Sequence, residues 1–349
     1  MSRDSGASRG FGAVDTEVLI VGTGFSGLCM AIQLVKRGRR SFTLLEQADE
    51  VGGTWRENHY PGCACDVPSH LYSFSFEPNP SWSRTYAPQP EILAYLRRCA
   101  DKYGLRPHIR FRAKVERAEL DEVFGLWRVR LASGETITAR HIVLGVGALS
   151  RPSVPALPGL ERFAGKTFHS ATWDHDYDLR GKSVAVIGTG ASAIQFVPRI
   201  VPDVARLHLF QRTAPWILPK LDREVGGSIQ TLFRTVPGAQ RLYRALLWSL
   251  LETSSVGFVV KPELMRVVAR LGRRHIERQI RSPALRDAVT PRFVPGCKRI
   301  LLSNDYYPAL DQDHVEVVTA GIREVVPEGI VSNDGKLREG DAIIFGTGF

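Results

Sequence analysis

Two stretches of the chain share one pattern of hydrophobic and polar positions. Residues 18–27 read VLIVGTGFSG, and residues 184–193 read VAVIGTGASA. In each, a short apolar β-branched run leads into glycines and then into a segment whose apolar residues recur at helical spacing. Such a run is typical of a buried strand, and such spacing is typical of an amphipathic helix. The pattern therefore predicts two strand–turn–helix units.

Both predicted turns carry small residues at the spacing GxGxxG or GxGxxA. They are Gly22, Gly24 and Gly27 in the first turn, and Gly188, Gly190 and Ala193 in the second. The first glycine allows a tight turn, the second lets the backbone approach a pyrophosphate, and the third small residue lets the helix pack on the strand. The helix N-terminus then meets the anion with unpaired N–H groups. Two copies in this context predict two dinucleotide sites.

The residues that end the next predicted strands differ in charge. Glu46 and Arg212 stand at equal sequence distances from Gly22 and Gly188. A carboxylate there accepts hydrogen bonds from ribose hydroxyls, whereas an arginine accommodates a 2′-phosphate. The first site therefore suits FAD or NAD, and the second suits NADPH. Electrons would then pass from NADPH to a flavin, although Arg212 could also be an ordinary surface arginine that ends a strand.

Composition narrows the function classes. A chain of 349 residues predicts about two domains, and 44% hydrophobic residues suffice for sizeable cores. The net charge of +10 attracts anions in general. The basic residues are scattered or helically spaced, so nucleic-acid binding is not predicted. No metal site is predicted either.

Cysteine usage and hydropathy favour a cytoplasmic protein. Five scattered cysteines are typical of a reducing compartment. Cys63 and Cys65 are too close in sequence for a good redox disulfide, which leaves oxygen as the favoured acceptor of the flavin's electrons. The apolar stretch 245–260 is shorter than the roughly 18 residues of a membrane span. It predicts a buried helix or the wall of a substrate channel.

Three further stretches carry a family resemblance. They are FAGKTFHSATWD at 163–174, GGTWRENHYPGCACD at 52–66 and GCKRILLSNDYYPAL at 296–310. Together with the two glycine turns, they make the chain over about 16–349 resemble type I Baeyer–Villiger monooxygenases, which are class B flavoprotein monooxygenases. The resemblance implies FAD, NADPH and O2 as cofactors and co-substrate, and a ketone that is converted to an ester or lactone through a C4a-peroxyflavin.

The resemblance also implies roles for particular residues. Arg299 would be the catalytic cation that stabilises the peroxyanion, and Asp66 would orient it by a charge-assisted hydrogen bond. Lys298, beside Arg212, would contact the 2′-phosphate of NADPH, and Thr213 would be a further cofactor-binding residue. Without the motif, Asp66 would be interpreted as a turn-capping aspartate and Lys298 as a solvated lysine.

Other motif residues are assigned to cofactor binding or to conformation. The resemblance places Gly53, Thr54, Trp55 and Tyr60 at the flavin site. A plain core role explains Trp55 and Tyr60 almost as well. His169 and Trp173, in the fingerprint 163–174, are interpreted as conformational rather than catalytic, since a neutral histidine bonded to backbone would satisfy the sequence equally well.

The predicted fold class is α/β, with two Rossmann-like dinucleotide-binding domains for FAD and NADP. Residues 1–15 are predicted to be a disordered tail, and 151–159 a proline-rich linker. The FAD-binding domain is assigned to 16–150 plus 311–349, and the NADP-binding domain to 160–310 with a helical insertion at about 222–290. Within 109–147, a Ser133-Gly134 turn predicts a hairpin. Because relatives are expected to continue past DAIIFGTGF, the FAD-binding domain is expected to be incomplete and the chain to be truncated.

Two alternatives stay open at this point. One is a flavin-containing monooxygenase that oxygenates nitrogen or sulfur, against which Trp173-Asp174 argues because that family usually lacks the tryptophan pattern. The other is a non-catalytic nucleotide-binding fragment, which the abrupt end at GTGF favours.

Overall fold

The computed structural model describes residues 14–259, 263 and 265–349, and the chain divides into two units. The first unit comprises the chain up to Arg56 together with Leu93–Ser150. The second comprises Glu57–Ile92 together with Arg151–Phe349. Each unit is built around its own sheet that contains parallel strands. This is the α/β class that the two strand–turn–helix patterns predict.

The chain up to Leu144 supplies the sheet of the first unit. Its elements are β1 (Thr16–Val21), α1 (Phe25–Lys36), β2 (Phe42–Leu45), α2 (Thr54–Glu57), α3 (Gln89–Lys102), a 3-10 helix (Arg106–His108), β3 (Ile109–Arg110), β4 (Val115–Asp121), β5 (Leu126–Leu131) and β6 (Thr136–Leu144). The strand order is β3-β2-β1-β6-β5-β4. β1 pairs in parallel with both neighbours, and Ile20 lies opposite Leu44 on one side and Val143 on the other.

The outer half of this sheet is antiparallel. Strands β5 and β6 pair with Arg130 opposite Thr136, and Gly134 in the turn between them has φ +88°. A glycine takes this left-handed conformation without the strain that a side chain would add. The hairpin predicted at Ser133-Gly134 is confirmed.

The chain from Lys166 onward supplies the second unit's main sheet and its insertions. The elements are β7 (Lys166–His169), β8 (Ser183–Ile187), α4 (Ala193–Ile200), β9 (Arg206–Phe210), β10 (Ile217–Leu218), α5 (Gly227–Thr235), α6 (Ala239–Val259), α7 (Met265–Gln279), α8 (Pro283–Val289), β11 (Leu301–Leu302), α9 (Tyr306–Leu310), β12 (Val315–Val318), β13 (Ile322–Val326), β14 (Gly329–Ser332), β15 (Leu337–Glu339) and β16 (Ala342–Phe345). Two 3-10 helices flank β7, at Leu160–Arg162 and Ser170–Thr172.

The main sheet of the second unit is parallel throughout. Its order is β12-β9-β8-β16-β7, and Val186 in the central strand lies opposite Leu209 and Ile344. Its strands bury apolar side chains such as Ile343 and Phe345 in one core cluster. Strands β13, β14 and β15 form a separate antiparallel sheet, and β10 pairs with β11.

The structure corrects the predicted domain boundaries at two places. Residues 311–349 were assigned to the first domain, but β12 pairs with β9 and β16 lies between β8 and β7 in the second unit. Residues 57–92 also fall in the second unit. The run AIIF is buried at every position. Such a run fits the centre of any parallel sheet, so the sequence did not indicate which sheet it joins.

Among the described residues of the segment for which the sequence predicts an insertion, the structure has the four helices α5 to α8. The expectation of a buried helix at 245–260 is wrong for the described side chains. Leu246, Trp248 and Leu250 are 61%, 59% and 68% exposed. Among the described residues, no helix combines the length and the apolarity needed to cross a bilayer.

A buried arginine joins the small antiparallel sheet to the main sheet. Arg338 in β15 is 6% exposed and contacts Glu316 in β12 at 2.8 Å and Asp334 at 3.0 Å. Glu316 also contacts Nδ1 of His208 in β9 at 2.9 Å. The Arg338 guanidinium holds the pKa of Glu316 below its ordinary value. A buried cation is tolerated because carboxylates on both sides pair with it.

Candidate functional site

The first glycine turn follows β1 and is closed to larger side chains. Gly22 has φ +98°, and a Cβ there would lie 2.5 Å from the carbonyl oxygen of Gly145. A Cβ on Gly27, in the first turn of α1, would lie 1.9 Å from the carbonyl oxygen of Gly22. Helix α1 can therefore approach β1 only because these two positions are glycine.

The second glycine of this turn faces another glycine. A Cβ on Gly24 would lie 3.7 Å from the Cα of Gly53, an ordinary contact distance. Gly53 has φ +52°, and Thr54 begins the short helix α2 directly after it. Trp55, in that helix, is buried. The turn thus leaves room beside Gly24 that a side chain at either glycine would reduce.

Glu46 is already engaged by protein groups. Its Oε2 accepts hydrogen bonds from the backbone N–H of Thr23 at 3.1 Å and from Thr23 Oγ1 at 2.6 Å. Its Oε1 accepts from the N–H of Ala48 at 3.0 Å and lies 3.3 Å from Arg56 Nη2. The carboxylate therefore anchors the glycine turn through Thr23. Its predicted contact with a ribose stays a prediction.

The second glycine turn repeats the first in the second unit. Gly188 has φ +108°, and a Cβ there would lie 2.5 Å from the carbonyl oxygen of Gly346, directly after β16. A Cβ on Gly190 would be 3.6 Å from the same oxygen, with nothing nearer. Ala193 begins α4 and is buried. Gly188 is thus required by the fold, whereas a side chain at Gly190 would meet only an ordinary contact.

The cations predicted to contact a 2′-phosphate are exposed. Arg212 follows β9, which is parallel to β8 with Phe210 opposite Ile187, so Arg212 lies at the sheet edge that carries the Gly188 turn. The backbone carbonyl of Thr213 accepts from Thr189 Oγ1 at 3.2 Å. Lys298 is also exposed.

Neither Arg212 nor Lys298 makes a side-chain hydrogen bond or ion pair within the part of the chain that the structure describes. The Nζ atom of Lys298 lies 5.3 Å from the centre of the Phe293 ring. Exposed cations without an acidic partner are available to an anion.

Asp66 and Arg299 meet as the resemblance implies. Nη2 of Arg299 donates to Oδ2 of Asp66 at 2.5 Å, across 233 residues of sequence. The arginine side chain is 66% exposed and the aspartate 28%. One N–H group of the guanidinium is thus hydrogen-bonded to a carboxylate, while its other N–H groups stay available.

The fingerprint residues are packed inside the second unit. His169 is buried at the end of β7, and its Nδ1 accepts from the N–H of Ala171 at 3.1 Å. Burial lowers the pKa of His169, which a hydrogen bond with the Gly348 backbone partly opposes. The ring is therefore neutral at pH 7 with its proton on Nε2.

Trp173 and Tyr60 contact the same side chain. The Phe196 ring, in α4, lies 5.2 Å from the Trp173 ring and 6.2 Å from the Tyr60 ring. Burial raises the pKa of Tyr60. Its hydroxyl donates to Oε1 of Gln195 at 2.9 Å. The sequence did not single out Gln195, because no local signal tells which loop a helical glutamine contacts.

The two cysteines of the GCAC segment are buried free thiols. Burial raises the pKa of Cys63 and of Cys65 to about 12. A thiol with so high a pKa is protonated at neutral pH and is a poor nucleophile. These thiols therefore pack as small apolar groups.

A cavity of about 580 Å³ opens in the second unit beside α4. It is lined by charged and polar side chains that include Arg84, Arg199, Lys220, Asp222 and Asp305. The Nζ atom of Lys220 lies 4.9 Å from the centre of the Tyr86 ring. Burial lowers the pKa of this lysine, and nearby carboxylates oppose the shift. No motif in the sequence singles out Lys220.

The comparison with protein families finds one match over most of the chain. The model of the family described as flavin-binding monooxygenase-like matches residues 15–262.

Two sequence relatives share the name Baeyer-Villiger monooxygenase. The protein from Pseudomonas aeruginosa is 55% identical over 333 residues, which are 95% of this chain and 63% of that protein. The protein from Streptomyces coelicolor is 51% identical over 332 residues, which are 95% of this chain and 64% of that protein. The chain thus spans less than two thirds of the length of these relatives.

Solved structures of monooxygenases share the fold. An oxidised steroid monooxygenase bound to NADP has a TM-score of 0.84 and is 33% identical, with 96% of this chain and 71% of that chain covered. An open form of cyclohexanone monooxygenase has a TM-score of 0.82 and is 29% identical, with 96% and 73% covered. The predicted two-domain α/β fold is confirmed.

Proposed function

We propose that this chain, which belongs to the flavin-binding monooxygenase-like family, acts as a Baeyer–Villiger monooxygenase. It would use NADPH, FAD and O2 to convert ketones into esters or lactones. The names of the two relatives support this activity over oxygenation of nitrogen or sulfur. The observation that carries the proposal is the hydrogen bond between Arg299 and Asp66 at 2.5 Å.

The glycine turns suit the two dinucleotides. A Cβ at Gly24 or at Gly190 would make only an ordinary contact, whereas one at Gly22 or at Gly188 would lie 2.5 Å from a carbonyl oxygen. The backbone can therefore be approached at the second glycine of each turn. A pyrophosphate needs that approach to backbone N–H groups at the start of a helix. We assign FAD to the Gly22 turn and NADPH to the Gly188 turn. When bound, the flavin would accept a hydride from NADPH and pass the two electrons to O2, of which one oxygen atom is inserted next to the ketone carbonyl and the other leaves as water.

Arg299 would stabilise negative charge on the oxygens of the reacting groups. An arginine remains protonated at any working pH, so its charge does not depend on a proton transfer. Asp66 accepts from one N–H of the guanidinium and thereby fixes its direction. The remaining N–H donors can then point at the oxygen on which negative charge develops, without reorganisation at the moment of reaction.

Arg212 and Lys298 would hold the 2′-phosphate of NADPH. Both are exposed. An anion with two negative charges is recognised well by an arginine fork together with a lysine point charge. His169 and Trp173 would act on conformation, since both are buried and contact protein groups.

The test compares Arg299→Ala and Arg299→Lys with the unchanged chain, with cyclohexanone as the probe ketone. In the absence of oxygen, NADPH should still reduce the FAD bound to both variants. Ester formation should fall at least about 100-fold in Arg299→Ala. Arg299→Lys should recover little of it, because an ammonium cannot hold Asp66 and a second oxygen with a rigid fork. Arg323→Ala, an exposed arginine in β13, is the control.

Two outcomes would contradict the proposal. Ester formation at the normal rate in Arg299→Ala would remove Arg299 from the catalytic role. Formation of an N-oxide from a tertiary amine, with no ester from any ketone, would replace the activity by that of the nitrogen-oxygenating relatives.

A further inference from the structure

Gln195, in α4, makes three hydrogen bonds to the segment that carries Asp66. We call residues 60–66 the Asp66 loop. The side-chain amide of Gln195 accepts from Tyr60 Oη at 2.9 Å and from the N–H of Ala64 at 3.3 Å, both at Oε1. Its Nε2 donates to the carbonyl oxygen of Ala64 at 3.0 Å. Both Oε1 and Nε2 of Gln195 thus make hydrogen bonds to the Asp66 loop.

The loop also lies directly against the backbone of α4. Gly62 has φ +78°, and a Cβ there would lie 2.7 Å from the carbonyl oxygen of Gln195 and 2.9 Å from Cγ of Arg199. Only glycine permits so close an approach. The loop therefore moves with α4 or loses these contacts.

Backbone hydrogen bonds hold the opposite edge of the loop. Ala64 bridges Pro88, the N–H of Cys65 donates to the carbonyl of Ala87 at 3.0 Å, and the N–H of Gln89 donates to the carbonyl of Cys63 at 2.9 Å. These bonds set the course of the loop but do not connect it to the nucleotide turn. The hydrogen bonds of Gln195 connect the loop to α4, which begins directly after that turn.

Gln195 stands close to the predicted phosphate site. It is the third residue of α4, and α4 begins directly after the Gly188 turn. A dinucleotide whose pyrophosphate binds the first N–H groups of α4 would fix the position of this first helical turn.

We propose that Gln195 is a positioning residue that couples the NADP site to Asp66, and through Asp66 to Arg299. The inference rests on the proposed function, because it takes the Gly188 turn as the NADP site. Binding of the dinucleotide would hold α4, the Gln195 amide would hold the Asp66 loop, and the guanidinium would be aligned only when the reductant is present.

The experiment measures backbone amide hydrogen exchange of the full chain, with NADP+ as the probe. NADP+ should slow exchange in peptides covering 188–195 and 60–66. In Gln195→Met, which keeps the side-chain length without hydrogen bonds, NADP+ should still protect 188–195 but no longer 60–66. Without nucleotide, exchange in 60–66 should be about 10-fold faster in the variant than in the unchanged chain, since the three bonds are lost together.

Matched variants separate positioning from general destabilisation. Gln312→Met removes a glutamine whose Nε2 donates to a backbone carbonyl, that of Pro308, and should change neither peptide. Gln195→Glu keeps an acceptor for Tyr60 and for the N–H of Ala64 and should restore part of the nucleotide effect on 60–66. If Gln195→Met does not fold, Tyr60→Phe removes one of the three bonds and should weaken the effect.

Each result decides a different question. Protection of 188–195 without protection of 60–66 in the unchanged chain overturns the coupling and leaves the NADP site in place. Equal protection of 60–66 in Gln195→Met and in the unchanged chain also overturns it. Protection of neither peptide by NADP+ overturns the assignment of the NADP site itself, and the coupling with it.

Discussion

Glu46 and Arg212 occupy equivalent places in the two units but have opposite surroundings. Glu46 is buried and accepts hydrogen bonds from Thr23 and Ala48. Arg212 is exposed at the end of β9. A side chain that is hydrogen-bonded within the protein has a structural role whether or not it also binds a ligand, whereas an exposed cation can bind an anionic ligand. Arg212 is therefore the sharper test of cofactor preference.

Arg212→Ala should raise KM for NADPH about 10- to 100-fold and leave KM for NADH within about twofold, since only NADPH carries the 2′-phosphate. Steady-state kinetics with both reductants measure the effect. Arg206→Ala is a matched control, because this exposed arginine begins β9 and so lies at the opposite end of that strand from Arg212. Equal changes for both reductants would refute the 2′-phosphate assignment.

His70 should make stability depend on pH. It is buried against the rings of Phe233 and Tyr243, and Arg244 donates to its backbone carbonyl. Burial lowers the pKa of His70 from the ordinary 6.5 to about 4. Between these values the unfolded chain binds a proton that the folded chain does not, so the free energy of unfolding falls as the pH drops from 6.5 to 4.

The measurement is urea denaturation at several pH values. Between pH 6.5 and 4, His70→Leu should reduce the slope of the free energy of unfolding against pH. The reduction should be somewhat less than the value of about 1.4 kcal/mol per pH unit that one fully buried group contributes. His141→Leu, at an exposed position of β6, should not change the profile. An unchanged slope in His70→Leu would show that another group carries the acid sensitivity.

At the level of elements, the first and second glycines of each strand–turn–helix motif have different roles. The first glycine is needed by the fold: Gly22 and Gly188 have positive φ and lie against the carbonyls of Gly145 and Gly346. The second glycine is not restricted in this way. Stability and ligand binding should therefore respond to different positions of one turn.

Gly188→Ala should destabilise the second unit by about 2 kcal/mol or more, because φ +108° strains any side chain and the new Cβ meets the Gly346 oxygen. Gly190→Ala should change the free energy of unfolding by less than about 0.5 kcal/mol but weaken NADPH binding at least about 10-fold. Chemical denaturation and NADPH fluorescence titration measure the two effects. Equal loss of stability in both variants would contradict this division.

At the level of the whole molecule, the net charge of +10 favours anionic ligands without selecting one. Selection comes from the two units, each with its own glycine turn. If FAD binds the first turn and NADP+ the second, each ligand stabilises its own unit by mass action.

Some cleavage sites in 151–349 become accessible only when the second unit unfolds. NADP+ at about 100 times its Kd should slow proteolysis at these sites about 100-fold. FAD should do the same for sites in 93–150. Native-state proteolysis with mass spectrometry locates each cleavage. At the same concentration NADP+ should protect the second unit of Arg212→Ala only about 2- to 10-fold, because the Kd of the variant would be about 10- to 100-fold higher. Equal protection of 93–150 by NADP+ would contradict the assignment of one ligand to each unit.

The sequence by itself determined the local features. The two glycine turns, the α/β class and the hairpin at Ser133-Gly134 follow from spacing and from the conformations that glycine allows, which depend on neighbours in the chain. The pairing of Asp66 with Arg299 was foreseen from motif resemblance alone, since 233 residues separate them. Local patterns carry such information because the conformation of a turn and the periodicity of buried positions depend on residues that are neighbours in the chain.

Only the tertiary structure decided which segments meet. The run 342–345 would have suited either parallel sheet, and it pairs with β8 and β7. Stretch 245–260 is apolar, yet its described side chains are largely exposed. Gln195 gives no sign in the sequence that it holds the Asp66 loop. Such contacts depend on packing between residues far apart in the chain, and a one-dimensional pattern does not specify a partner when several surfaces offer the same chemistry.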